Sequence, residues 1–416
     1  MFELGLRDMS LNHINNNAIK VPVGILYSIT GPYGDVNASM VNAAILGLEE
    51  ANAELNGSFE LEPVFRDSHG KLSTYGKNCE RMIYQDGCQH IIGCYTSAAR
   101  KQILPLLERT NTLLWHSARY EGFEASENVL YLGASPNQHL IPLVRYILAA
   151  MVPEIYCVGS NYIWTWESNR LLREQIIEGG GRIIAQRLVT MGDLHIDHIV
   201  SEIISLKPPV VFNTLVGEAS YRFYRALWRA VTEDPELEPG DITVVSCSLC
   251  EEELPFIGEP ASIGHLTSAT YFRSLERPEN IDFLARYRER FGDGTAPSVD
   301  AASAYVCARM LGRSIAASGT DAVSTVRDAA KTFSFEAPEG TVRIDRTTNH
   351  SFLTPRLAVS KRGFSFQIIW EAPEAVNPDP FLVWQGEAQA RPEAEWNAKG
   401  LPAQASNAVN TDVKES

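Results

Sequence analysis

The sequence predicts an α/β protein of two doubly wound parallel-sheet lobes with a ligand cleft between them, and three observations carry that expectation. From Val21 onward short apolar runs alternate with helical stripes, as in parallel strands covered by helices on both faces. The chain has 416 residues, more than one ordinary core accommodates. Successive strands end in polar and aromatic residues, at the end of the sheet where open α/β folds take their ligands.

The elements follow in order. "VPVGILYS" (21–28) is a strand, Val41, Ala44, Ile45 and Leu48 share one helical face, and "LEPVFRD" (61–67) completes a βαβ unit. The series continues through "HIIGCY", "TLLWHS", "EIYCVGSN", "RIIAQRLVT", "PVVFNTLVG" and "DITVVSCS", with helix-like segments between most of them. The "GGG" at 179–181 follows a helical stripe and reads as a C-terminal stop. The Ala-rich stretch "APSVDAASAYVCARMLGRSIAASG" predicts a helix, and "LAVSKRGFSFQIIW" predicts a hairpin around Lys-Arg-Gly. "YLGASPNQ" (131–138) and "GHLTSATYF" (264–272) fall where the chain would cross between lobes. The expected division is an extension over 1–20, one lobe from 21–134 with 266–340, a second from 135–265 with 341–385, and a disordered tail over 386–416.

Charge and composition narrow the function. With 36 basic against 51 acidic side chains the formal net charge is −15, which disfavours direct nucleic-acid binding. The first twenty residues hold no apolar run of signal-peptide length, and no later stretch is long enough to span a bilayer. The expected location is therefore cytoplasmic. Seven cysteines without framework spacing fit a reducing compartment. No P-loop, GxSxG, HExxH or GxGxxG occurs, which counts against an ATPase, an α/β-hydrolase, a zincin or a dinucleotide enzyme without excluding catalysis; the expectation is a binding protein with no cofactor, not an enzyme. "CSLC" (247–250) lacks a second metal-ligand pair, and His195 with His198 reads as a solvated pair, so no metal is expected.

The candidate ligand contacts are the strand-end residues: Tyr95 and Ser97 after "IIGC", His116 and Ser117 after "TLLW", Tyr162 and Trp164 in "GSNYIWTWESN", Glu218 after "FNTLVG", and Cys250 with Glu251 after "VVSCS". Ser97 sits where a helix begins, and unpaired N–H groups there suit an anion or a carbonyl oxygen. A histidine titrates at about 6.5, so a His116 facing the cleft would make affinity depend on pH.

"GCYTSAARKQILPLLE", "LLWHSARYEGFEASENVLYLGASPNQ", "GSNYIWTWESN" and "GHLTSATYF" together resemble the type I periplasmic-binding-protein fold, over most of residues 21–385. Within it they are similar to the branch that holds AmiC-like amide-sensing regulators of aliphatic amidase operons and the binding proteins for urea and short amides. The resemblance implies that Tyr95 and Ser97 hold an amide head group and that Tyr162 joins them. His116, Ser117, Ala118 and Arg119 stand where the amide sensors have Tyr-Pro-Thr-Pro, and Trp164 replaces a second tyrosine. It further implies a cytoplasmic sensor of a small amide, urea or nitrile-derived ligand that regulates a degradative operon through an RNA-binding antiterminator. The alternative is the substrate-binding subunit of an ABC importer for urea, short amides or amino acids. A homo-oligomer is compatible with either. An amidohydrolase lacks a nucleophile paired with a base. Arg119 and Asp300 could clamp a carboxylate and an amine; the simpler expectation turns Arg119 to solvent and makes Asp300 a helix cap.

Overall fold

The computed structural model describes residues 18–294 and 296–383. Most of the expected 1–20 extension and the 386–416 tail lie outside the described residues. The chain divides into two compact units, the first from residues up to Tyr120, Glu124–Ala134 and Leu275–Leu353, the second from Glu121–Phe123, Ser135–Ser274 and the residues from Thr354 on.

The first unit opens with β1 (Ile19–Leu26), α1 (Gly34–Glu54), β2 (Phe59–Phe65), α2 (Leu72–Tyr84), β3 (His90–Gly93), α3 (Ser97–Thr110), β4 (Leu113–His116) and β5 (Val129–Tyr131). Their parallel sheet runs β2-β1-β3-β4-β5. Leu26, Ile91 and Leu114 are among its buried residues, as expected of strands covered on both faces.

The second unit takes over with α4 (Pro136–Ala150), β6 (Glu154–Ser160), α5 (Ile163–Glu178), β7 (Arg182–Val189), α6 (Asp197–Leu206), β8 (Val210–Thr214), α7 (Glu218–Glu233), β9 (Thr243–Ser246), α8 (Leu254–Ile257) and β10 (Leu266–Ala269). The chain returns to the first unit for α9 (Pro278–Phe291), α10 (Val299–Ser318), α11 (Val323–Ala330) and the antiparallel strands β11 (Ser334–Ala337), β12 (Gly340–Ile344) and β13 (Ser351–Phe352). It ends in the second unit with β14 (Arg356–Lys361) and β15 (Ser365–Glu371), the expected hairpin. The second sheet runs β15-β14-β10-β9-β8-β6-β7.

Two boundaries differ from the sequence expectation. The switch near 265 falls at Ser274/Leu275, because β10 pairs with β9 and β14 in the second sheet. The one near 340 falls at Leu353/Thr354, because β12 and β13 pair within the first unit. Hydrogen bonding decides both, and periodicity does not record it.

The Ala-rich composition of α10 has a packing cause. A Cβ on Gly47 of α1 would lie 2.7 Å from the Ala308 methyl, and one on Gly312 would lie 2.5 Å from that of Ala51. Small residues therefore let the two backbones approach closely. Gly179 caps α5, as the glycine run predicts.

Candidate ligand-binding site

The carboxyl ends of the first sheet's strands gather several of the candidates. After β3 the chain turns into α3 with Thr96 as N-cap; its hydroxyl accepts from the Ala99 N–H at 3.2 Å. Ser97 is thus the first helical residue rather than the cap, and it is buried. Tyr95 is half-buried, with its ring 5.5 Å from that of Tyr33. Ser117 follows β4 and lies 2.7 Å from the hydroxyl of Tyr27, which follows β1. The rule that selected Ser117 applies equally to Tyr27, which the strand-end set lacks.

His116 stands differently from the expectation. It is fully buried, donates from Nδ1 to the Gly93 carbonyl at 3.2 Å, and accepts at Nε2 from Arg100 Nη1 at 3.2 Å. Acceptance at Nε2 requires the neutral ring. Burial and the Arg100 charge push its pKa down to about 3, so it does not titrate in the neutral range expected of an open histidine.

Behind this turn lies a polar network absent from the sequence-derived set. Arg100 Nε donates to Glu124 Oε1 at 2.7 Å and its guanidinium covers the Tyr120 ring at 4.7 Å. Lys101 donates to Glu124 Oε2 at 2.8 Å, and the Tyr131 hydroxyl donates to Glu124 Oε1 at 3.0 Å. Burial opposes the Glu124 charge, yet Arg100 and Lys101 overcome it and bring the carboxyl down to about 2. His350 stacks on Tyr131 with ring centroids 4.1 Å apart, donates from Nδ1 to Thr348, and accepts from the Tyr120 hydroxyl. Burial lowers its pKa to about 4.

Arg119 and Asp300 correct a further expectation. Arg119 is not turned to solvent, and Ser298, not Asp300, is the cap of α10. The two form an ion pair at 3.2 Å, with side chains 9% and 1% exposed.

The second unit's candidates divide. Tyr162 is the half-buried N-cap residue of α5. Trp164 is buried in an apolar cluster with Leu172, Ile176 and Phe212; it is a core residue in this structure, not an exposed candidate contact. Glu218 begins α7 with its side chain 57% exposed and paired with Arg225 at 2.6 Å. Cys250 is buried with its thiol 3.6 Å from Glu253. Glu251 is buried and accepts the Arg273 N–H at 2.7 Å. His195 is exposed and bound to Asp193 at 2.7 Å. Among the described residues no cluster of three or more metal-ligating side chains occurs, and no helix is long and apolar enough to cross a membrane.

The chain belongs to the periplasmic binding protein domain family, whose model matches residues 21–387. It is 23% identical to a Leu/Ile/Val-binding protein homologue of Brucella abortus, over 79% of this chain and 85% of the relative. Among solved structures it resembles an ABC-transporter solute-binding protein of Rhodopseudomonas palustris in complex with p-hydroxybenzoic acid (TM-score 0.78, 19% identity, 88% of this chain and all of that one). It also resembles a leucine-binding protein of Thermotoga maritima (TM-score 0.70, 18% identity, 84% and 98%). These relatives are binding proteins. They overturn the cytoplasmic location, since the family and its transporter relatives are periplasmic in kind. They favour the solute-binding alternative over the amide-sensing regulator, and the antiterminator partner draws no support from them.

Proposed function

We propose that this member of the periplasmic binding protein domain family is the solute-binding component of an ABC importer and takes a small polar organic molecule at the carboxyl ends of its strands. The observation that carries the reading is the turn from β3 into α3. Thr96 caps α3 by accepting from the Ala99 N–H, and Ser97 opens the first turn of that helix, the end at which a helix dipole favours a carbonyl or carboxylate oxygen. Tyr95, Ser117 and Tyr27 lie at neighbouring strand ends.

Support for transport comes from the relatives, which include solute-binding proteins for hydroxybenzoate and amino acids. Ligand size bounds the strength of binding: at about 1.5 kcal/mol per heavy atom, a four-atom amide gains roughly 6 kcal/mol, a dissociation constant of tens of micromolar.

The test is a thermal-shift screen of the purified protein against short amides, ureas, hydroxybenzoates and the twenty L-amino acids. Binding to the folded state raises the melting temperature by mass action, and at least one class is expected to do so. A melting temperature that no compound moves at millimolar concentration defeats the reading.

A further inference from the structure

We propose a second ligand site in the second unit, a cavity between α7 and the amino ends of β9 and β10 that takes a neutral one-ring phenol or alcohol. It goes beyond the solute-binding reading, because open parallel sheets hold their ligands at the carboxyl ends of the strands.

Shape is the first argument. The cavity has a volume of about 250 Å³, and its walls belong to the second unit alone. Thr243 begins β9, His265 immediately precedes β10, and Tyr224, Trp228 and Val231 come from α7. A cavity of about 150 Å³ holds one benzene ring, so this one has room for a single ring with substituents and none for a folded peptide. The rings of Tyr224 and Trp228 suit such a guest, since aromatic faces and edges pair favourably.

An unmatched acceptor is the second argument. His265 lines the cavity with its ring held in place. Its backbone N–H donates to the Ser360 hydroxyl and its carbonyl accepts from the Ser360 N–H, both at 2.9 Å, while the Tyr224 ring lies 4.5 Å away between centroids. Nε2 is 2.8 Å from the Ala261 carbonyl. Facing a carbonyl, Nε2 carries the proton, and in a neutral ring Nδ1 is then an acceptor. Burial keeps the ring neutral by bringing its pKa down to about 4. Nδ1 has no hydrogen-bond partner among the described residues. Its lone pair calls for an O–H or N–H from whatever fills the cavity.

Three kinds of ligand separate on that atom. A carboxylate has acceptors alone and would set lone pair against lone pair. The exposed Arg362, which also lines the cavity, offsets little of that, because an ion pair open to water is weak. A hydrocarbon fills the walls and leaves Nδ1 shut in without a donor. A phenol or alcohol fills the same walls and donates its hydroxyl.

Calorimetry on the purified protein with p-cresol, its methyl ether 4-methylanisole and benzoate tests the assignment. The ether keeps ring and oxygen and loses only the donor, so it should bind more than about tenfold more weakly, as an acceptor left unmatched in a closed cavity requires. Benzoate should fall as far behind. Val231→Trp fills the cavity from α7 and should abolish p-cresol binding while the protein still melts cooperatively. Nitrogen-15 NMR of the histidine-labelled protein reads the contact without a variant: the His265 Nδ1 resonance should move upfield as p-cresol is added. The site is overturned if either analogue binds within tenfold of p-cresol, if folded Val231→Trp binds it unchanged, if bound p-cresol leaves Nδ1 unmoved, or if p-cresol does not bind at millimolar concentration. Failure here leaves the strand-end reading intact, because Val231 and His265 take no part in it.

Discussion

Two helices follow strand ends in the two sheets, and they are anchored by different physics. Behind α3 in the first unit lie Arg100, Glu124, His116, Tyr120, Tyr131 and His350, a buried network in which charges and ring nitrogens are matched donor to acceptor. Behind α5 in the second unit lie Trp164, Leu172, Ile176 and Phe212, an apolar cluster. An apolar cluster tolerates small shifts, because dispersion and burial have little direction. A buried charge network tolerates few, because an unmatched charge in low dielectric is costly. The first arrangement fixes a helix start more sharply, which suits the unit where Ser97, Ser117 and Arg119 lie, and it makes that unit sensitive to the loss of any one member.

The largest expected effect is on that sensitivity. Glu124→Gln leaves the fully buried Arg100 without its carboxylate beside Lys101 and should destabilise the protein by about 3–5 kcal/mol in urea unfolding. Arg100→Met with Glu124→Leu removes both ions and should recover most of that loss. Leu172→Ala, by contrast, should cost about 2–5 kcal/mol through its cavity, with no partner change able to restore it. If the double variant is as unstable as the single one, the network is not an electrostatic unit and the contrast between the helices collapses.

Acid sharpens the same comparison. His116 and His350 have folded pKa values of about 3 and about 4, below the ordinary 6.5. The unfolded chain therefore binds protons first as pH falls, and stability contributed by the neutral rings drops from about pH 6.5 down to those values. Each pKa unit corresponds to about 1.4 kcal/mol, so the loss by pH 4 is on the order of a few kcal/mol. Glu124 works in a lower window: its carboxylate stabilises the fold above the ordinary 4.5, and that contribution is lost as pH falls through about 2. His116→Asn should flatten the slope of unfolding free energy between pH 4 and 6.5, whereas Leu172→Ala should displace the curve without changing its slope. An unchanged slope in His116→Asn would place the acid sensitivity elsewhere, for example at His265, also near 4 through burial in the second unit.

At the turn itself neighbouring hydroxyls should separate by role. Thr96→Ala removes a cap and should cost about 1 kcal/mol of stability. Ser97→Ala, one residue on, should leave stability nearly unchanged and weaken binding of the compound found in the screen by more than about tenfold, or about 1.4 kcal/mol. Calorimetry and thermal melts on both variants decide it; equal effects on both properties would mean the turn is only structural.

How much of this was legible in the sequence follows from distance along the chain. Strands, helices and the α/β class come from local periodicity, so β1 to β4, β6 to β9 and the final hairpin are readable in short windows, whereas the three-residue β5 is too short to show a period. The switch at Leu275 and the assignment of β13 depend on pairing across the fold and are not. Ser97 and Ser117 were visible because each directly follows an apolar run. Tyr120 and His350 meet across 230 positions, and Arg119 and Asp300 across 181; no periodicity connects them. His116 illustrates the converse, since its place at a strand end was readable but the direction of its ring was not.

The smallest expected effect concerns Trp164, the apolar counterpart of the charge network. Its indole Nε1 is buried and has no hydrogen-bond partner, so the native state carries the desolvation cost of an unsatisfied donor, about 1–3 kcal/mol. Trp164→Phe removes that donor and, at the same time, a ring's worth of packing, whose loss leaves a cavity of opposite sign in the free energy. The two terms nearly cancel, and the variant should unfold within about 1 kcal/mol of the parent at every pH between 5 and 8. Trp164→Ala keeps the first gain but opens a far larger cavity and should cost about 3–5 kcal/mol. Guanidinium unfolding of both variants separates the readings. A loss of 3 kcal/mol or more in Trp164→Phe would show that the indole nitrogen has a partner that matters, and α5 would then be anchored by polar contacts as α3 is.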